Sequence, residues 1–247
     1  MVELKNLGNL PDVVRKNVGL YIKEMLSIHG DKIISVALYG SAVGKDFSKK
    51  ASDINIAVIF SEIGYLELKK SQKLISKGIK KRIPAPLFLT KSYIESSSDV
   101  FPIEFLEMKE NHTTIDGDDI LSGLEVSSDN LRLECESQIK GKLIRIRQAY
   151  LEIGGKKGGV EKLLKESLNS LIPVFKGLLR LKGIVPTSSK EEILRETTKA
   201  FEGNPEVFVK IFQDRQNDER IAGKDIESFF EMYLTQLQGL AKDIDEI

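Results

Sequence analysis

The run Ile33-Ile-Ser-Val-Ala-Leu-Tyr39 ends at Gly40-Ser41, and eleven residues after Ser41 the chain resumes with Asp53-Ile-Asn55 and Ile-Ala-Val-Ile-Phe60. The first run is apolar, rich in β-formers, too short for a stable helix and closed by glycine, so it reads as a buried strand. In the second, Ile54, Ile56, Val58 and Phe60 alternate with Asn55, Ala57 and Ile59, the period of another strand. Working outward, Val14, Val18, Tyr21 and Met25 form one stripe of a helix over residues 11–29, which Gly30 stops. Residues 66–81 read as helical and 84–90 as a third strand. Ile103-Glu-Phe-Leu-Glu-Met-Lys109 alternates again and is expected to be a fourth strand. The order helix, strand, strand, helix, strand, strand indicates a mixed α/β domain.

The texture changes after Gly117-Asp-Asp-Ile-Leu-Ser-Gly123, a polar, glycine-bearing stretch suited to a domain junction. We therefore expect an α/β domain over residues 1–122 and an all-α helical bundle over 123–247, an α+β chain overall. Cys135, Ile139, Leu143, Ile146, Tyr150 and Ile153 form the seam of a bundle helix, and Gly154-Gly-Lys-Lys-Gly-Gly159 breaks the chain after it. A second stripe runs from Leu163 to Leu179, with Pro173 expected to kink its helix. Two shorter helices, over residues 191–201 and 205–212, precede a last long one carrying Phe229, Phe230, Tyr233, Leu237 and Leu240.

The chain has 247 residues, 41% hydrophobic and 30% charged, which suits a globular protein able to bury its core without disulfides. Its single cysteine, Cys135, falls on the apolar seam, where core packing is its expected role. Lys+Arg and Asp+Glu both total 37, which excludes nucleic-acid binding by bulk charge; any such contact must be local. One local run exists, Lys69, Lys70, Lys73, Lys77, Lys80, Lys81 and Arg82, although a run of this kind is more often a solvated helix face. Lys140, Lys142, Arg145 and Arg147 are a lesser example. No apolar run approaches a membrane span and the start lacks a signal peptide's apolar core, so a cytoplasmic protein with no membrane partner is expected.

The chemistry-bearing residues gather around the first two strands. A glycine lets phosphate oxygens approach the backbone, and the serine after it supplies a hydroxyl and an amide, so Gly40 and Ser41 suit a phosphate. Asp53 and Asn55 stand two apart, on one strand face, where their oxygens could share a cation, and Glu104 could join them from the expected fourth strand. Each also has a bland reading, a strand-ending turn or a polar strand start; it is their spacing that favours a site. Glu107, on the other strand face, is the alternative third acid. Gly40-Ser-Ala-Val-Gly44-Lys45 is no P-loop, for it has three residues between the glycines and Asp46 where a hydroxyl is needed. His29 and His112, the only histidines, have no metal-ligand partner in the sequence pattern.

The Gly40-Ser41 pair, Asp53-Ile-Asn55, Glu104, and the segment from Phe101 to Gly117 together resemble the nucleotidyltransferase superfamily, and the helical second half is similar to kanamycin nucleotidyltransferase-like and HEPN-paired members. The resemblance implies binding of a nucleoside triphosphate with Mg2+ and transfer of a nucleoside monophosphate to a hydroxyl acceptor. It implies phosphate contacts at Gly40 and Ser41, metal ligands at Asp53, Asn55 and Glu104, and catalytic roles for Asp53 and Glu104. Relatives carry a second aspartate where this chain has Asn55. The amide keeps an oxygen but removes a charge, and two unit charges 4 Å apart interact by about 4 kcal/mol at an effective dielectric of 20. A single-metal or metal-free site is expected. The rival reading is a catalytically inactive nucleotide-binding or protein-interaction module, a pseudoenzyme whose bundle mediates homodimerisation or regulation. The second half holds no histidine, which argues against HEPN-type ribonuclease chemistry.

Overall fold

The computed structural model describes residues 4–10, 12–43, 53–216, 221 and 223–247. Pro11, at the expected start of the first helix, and Gly44, Lys45 and Asp46 of the P-loop-like run lie outside the described residues. Contacts divide the chain into two units, Met1–Val126 and Ser127–Ile247.

In the first unit α1 (Asp12–His29) leads into β1 (Ile33–Tyr39), followed by β2 (Asn55–Phe60), α2 (Tyr65–Ile79), β3 (Leu87–Thr90), α3 (Lys91–Ser97), α4 (Pro102–Glu110) and β4 (His112–Gly117). The four strands form one mixed sheet in the order β3-β2-β1-β4. β1 pairs antiparallel with both β2 and β4, and β2 pairs parallel with β3. The central strands are covered on both sides, which is why they read as unbroken apolar runs. Val36, Leu38, Ile54, Ile56, Val58 and Phe60 meet Val14, Val18, Ile22 and Met25 of α1 and Leu74 of α2. On the opposite face Ala37, Ile59 and Leu89 meet Ile94 of α3, Phe105 and Met108 of α4, and Leu121 and Leu124 beyond β4. α2 touches the core by a narrow stripe, Glu67, Ser71, Leu74 and Gly78, and its amino end is held by Gly64 N–H donating to Glu67 Oε2 at 3.0 Å.

One expected element differs. Residues 103–109 are not a strand but lie in α4, and the fourth strand follows at His112–Gly117. Pro102 sits at the first helical position, where its fixed φ and missing N–H suit a helix start, and Glu, Leu, Met and Lys after it are strong helix formers. The adjacent apolar pair Phe105-Leu106 also breaks strict alternation. The β-branched residues that prefer a pleated surface, Thr113, Thr114 and Ile115, come later.

In the second unit every described α-helix falls among α5 (Ser128–Ile153), α6 (Lys157–Leu181), α7 (Lys190–Ala200), α8 (Pro205–Gln216) and α9 (Ile226–Asp243). Ser127 Oγ caps α5 by accepting from Asp129 N–H at 3.1 Å, and Gly154 closes it in the left-handed region at φ +63°. Leu131, Cys135, Ile139, Leu143 and Ile146 are the buried stripe of α5. Pro173 lies inside α6, which continues to Leu181. Tyr233, fully buried on α9, donates to Ser167 Oγ of α6 at 3.0 Å, while Phe175, Phe208 and Tyr233 interlock as an aromatic core. Burial pushes the Cys135 thiol up to about 12, so it remains a thiol that packs.

Candidate functional site

The amino end of β2 and the carboxyl end of β1 meet because the two strands are antiparallel, with Tyr39 opposite Asn55. The next residue, Gly40, turns the chain at φ +72°, a backbone that favours glycine, and a methyl group there would lie 3.5 Å from Asn55 Nδ2. Gly40, Ser41 and Ala42 form a short 3-10 turn, anchored by fully buried Ala42 and by Val43 N–H donating to Gly40 O at 3.2 Å. Ser41 is half-buried. Ile54 is locked into the α1-side core and donates its N–H to Arg82 O at 2.8 Å, which leaves Asp53 and Asn55, its neighbours, for the other face. Asp53 is exposed and Asn55 half-buried. Gly40, Ser41, Asp53 and Asn55 therefore share one end of the sheet.

Glu104 is in the first turn of α4, exposed, outside the sheet, and makes no hydrogen bond or ion pair among the described residues. Glu107, one turn on, is linked to the turn: it accepts from Asn111 Nδ2 at 3.2 Å, and Asn111 O accepts from Gly40 N–H at 2.9 Å. Among the described residues no strand supplies a further acid at this end. β3, Leu87-Phe-Leu-Thr90, has none, and sets Leu87 and Leu89 beside Ala57 and Ile59 on the Asn55 face. Asp116 of β4 pairs with Val36, about 10 Å along β1 from Tyr39. Among the described residues no group of three or more His, Cys, Asp or Glu could hold a metal ion. Among the described residues the strands thus bring to the turn one carboxylate, Asp53, and one amide oxygen, Asn55. Such a pair fits Mg2+ that arrives with phosphates, since this ion takes few protein ligands and completes its shell from substrate and water.

Two features of this end were not read from the sequence. His112 opens β4 opposite Tyr39, and its Nδ1 lies 2.9 Å from Met108 O and 3.0 Å from Lys109 O, the carbonyls at the end of α4. Its Nε2 lies 2.8 Å from Asp119 Oδ1. Carbonyls and ionised carboxylates only accept, so a ring N–H of His112 is the donor in these contacts. Burial acts to raise the Asp119 carboxyl, but hydrogen bonds from Ser122 and His112 outweigh it and hold the group below its ordinary range. The pair ties α4, β4 and the segment after it together beside the turn. A cavity of about 620 Å3 in this unit is lined by Lys91, Ile94, Asp118, Asp119 and Leu124, and not by Gly40, Ser41, Asp53 or Asn55. The second feature is Arg82, at φ +61°, which closes α2 in the left-handed region usually taken by glycine. The sequence signal for both was present: a polar Asn-His pair between a helix and a β-branched run, and a missing glycine after the helix ending near Ile79.

The His29 ring does not belong to this site. His29 is buried edge-on against Phe60 and Phe88, with Nε2 2.8 Å from Ser71 Oγ, rather than meeting the carbonyls of its helix end. Lys140 is held by Glu136 at 2.7 Å and Asp245 at 2.8 Å.

No protein-family profile matches the chain, and no curated protein matches it significantly. Among solved structures it is similar to spectinomycin adenyltransferase AAD(9) from Enterococcus faecialis, determined with ATP and spectinomycin. The two share 13% sequence identity at a TM-score of 0.56, over 90% of this chain and 98% of that one. The likeness is one of fold: a mixed-sheet nucleotidyltransferase-like unit followed by a helical unit. No described helix is long and apolar enough to cross a membrane.

Proposed function

We infer that the sheet end around Gly40 binds a nucleoside triphosphate and transfers its nucleoside monophosphate to a hydroxyl acceptor. The observation that carries this is the convergence of a left-handed glycine turn, Ser41, Asp53 and Asn55 at one strand end, in a fold shared with an adenyltransferase that was solved with ATP. Gly40, with no Cβ, lets a phosphate come close to the turn, and Ser41 offers a hydroxyl and an amide to it. Asp53 and Asn55 would hold a Mg2+ ion, which when bound neutralises phosphate charge. Of the two candidate acids on α4, Glu107 is committed to Asn111 while Glu104 is unengaged among the described residues, so Glu104 is assigned to the acceptor proton and to the metal's remaining protein contact. The chain works as a cytoplasmic protein, with domains divided near residue 122.

A second reading, a nucleotide-binding module without turnover, is favoured by one observation: Asp53 is the sole acid that the sheet brings to this end among the described residues. One experiment separates the two. The full chain is incubated with a triphosphate labelled on its α-phosphate, Mg2+ and a cell extract, beside Asp53→Ala and Glu104→Gln variants. Labelled acceptor that depends on Asp53 supports transfer. A triphosphate-induced rise in melting temperature, lost in Ser41→Ala and Asp53→Ala but without labelled product, supports the binding module. Neither label nor thermal shift overturns both.

A further inference from the structure

α2 and the turn after it hold seven cations and one acid within residues 65–82, a net charge of +6 in a chain whose total is zero. The acid, Glu67, is buried and already paired with Lys32 at 2.9 Å. Lys77 pairs with Glu24 of α1 at 2.7 Å. Lys69, Lys70, Lys73, Lys80 and Lys81 form no ion pair among the described residues, and all five are exposed.

Helices α5, α6 and α7 are built differently. Each pairs one or more of its cations at i,i+4 spacing: Arg132 and Lys140 with Glu136, Lys165 with Glu161, Lys162 with Glu166, Arg195 with Glu191. In α2 the same spacing sets lysine against lysine, 69 with 73, 73 with 77 and 77 with 81, which opposes helix formation unless an anion lies over the row. From Lys69 to Lys81 the row measures about 18 Å at the helical rise, the span of about five phosphates of one nucleic-acid strand. It ends at Arg82, whose carbonyl bonds Ile54, the residue between Asp53 and Asn55. Tyr65, 70% exposed at the other end of the helix, presents a ring on which a base can stack. α2 buries Glu67, Ser71, Leu74 and Gly78 and leaves Leu66, Leu68 and Ile79 exposed, so an anionic membrane surface is the rival occupant that the test includes.

We propose that the Lys69–Lys81 row of α2 binds the phosphate backbone of a single-stranded nucleic acid and leads that strand to the Asp53 end of the sheet. Resting on the transferase reading, this makes a nucleic-acid hydroxyl the acceptor class.

The test is fluorescence anisotropy of a fluorescein-labelled, single-stranded 20-nucleotide RNA with the full chain, without triphosphate. Five phosphate contacts give a log–log salt slope of about −3.5, so affinity should fall roughly a hundredfold between 50 and 200 mM salt. The triple variant Lys69→Gln, Lys73→Gln, Lys80→Gln should flatten the slope by about 2 while melting no lower than the parent. A charge-matched control in the second unit, Lys162→Gln, Lys199→Gln, Lys242→Gln, should stay within twofold of the parent. Absence of RNA binding at 50 mM salt, equal weakening by the control, or binding only to anionic phosphatidylserine vesicles overturns the proposal. Labelled monophosphate transfer to the same RNA is then measured separately: binding without transfer supports the row and fails only the transferase reading.

Discussion

Replacing Gly117 with alanine should be among the most destabilising single-methyl additions to the first unit. Gly117 ends β4 at φ +74°, and a Cβ there would come 1.9 Å from Ile34 O, 2.9 Å from Ile34 C and 3.0 Å from Ser35 Cα. Two penalties combine. A non-glycine residue in the left-handed region costs about 1–2 kcal/mol, and an overlap that the neighbouring backbone must relieve adds about 1–3 kcal/mol, as overpacking does in cores. The neighbours cannot rotate away, because Ile34 O also accepts from Asp118 N–H at 3.4 Å, and Ser35 Oγ donates to Asp118 O at 2.6 Å. A loss of about 3–4 kcal/mol follows, less than the sum of the upper limits because strand β1 can shift slightly. For a unit of this size that corresponds to a melting temperature lower by roughly 10–15 °C. Urea unfolding of the full chain, followed by circular dichroism, measures it, with Gly123→Ala as control, since a methyl there meets only Ile120 O at 3.8 Å with ordinary φ. If Gly117→Ala lies within 1 kcal/mol of the parent, the close approach of β4 to β1 is not as described.

Gly40→Ala, also left-handed but with only an ordinary 3.5 Å contact to Asn55, should cost about 1–2 kcal/mol of stability, yet abolish the thermal shift produced by a triphosphate. Asn55→Asp should tighten Mg2+ about tenfold, about 1.4 kcal/mol, by calorimetry with a nonhydrolysable triphosphate; equal affinity in both proteins removes position 55 from the metal site. The pH dependence has a defined sign. Ser71 Oγ donates to Glu67 O at 2.9 Å and so accepts from His29 Nε2–H, while burial, foremost, with Lys70 and Lys32, lowers the His29 pKa below 6.5 against the opposing pull of Glu67. The unfolded chain therefore takes up the proton first, and stability present above pH 6.5 is lost as pH falls below it. Melting temperatures between pH 7.5 and 5.5 should decline, and His29→Gln should flatten that decline. Glu67, held at about 2 by Lys32 and the Gly64 amide, adds a further loss as pH falls from 4.5 towards 2, seen as an acid limb that Lys32→Met displaces upward in pH.

The sequence by itself determined the elements whose burial is periodic. β1 and β2 are flanked on both faces, so their runs are apolar throughout, and α1, α5, α6 and α9 carry stripes that repeat every three or four residues because one side of each is buried. It also determined that Gly40, Ser41, Asp53 and Asn55 lie at adjacent strand ends, since a short connection between two antiparallel strands leaves no other placement. The tertiary structure decided what depends on partners distant in sequence. Residues 103–109 alternate only in part, since Phe105-Leu106 breaks the period, and the choice fell to Pro102 and to the packing of Phe105 and Met108 under the sheet. The parallel pairing of β3 with β2 set Leu87 and Leu89, rather than an acid, beside Ala57 and Ile59 on the Asn55 face, a register that no local pattern encodes. The His112–Asp119 pair joins a helix end to a segment beyond the next strand, and Arg82 adopts its left-handed backbone because the turn that returns α2 to Ile54 requires it. Local periodicity records which side of an element is buried; which other element covers it, and which charge meets it there, is set by long-range contacts that leave no repeat in the chain.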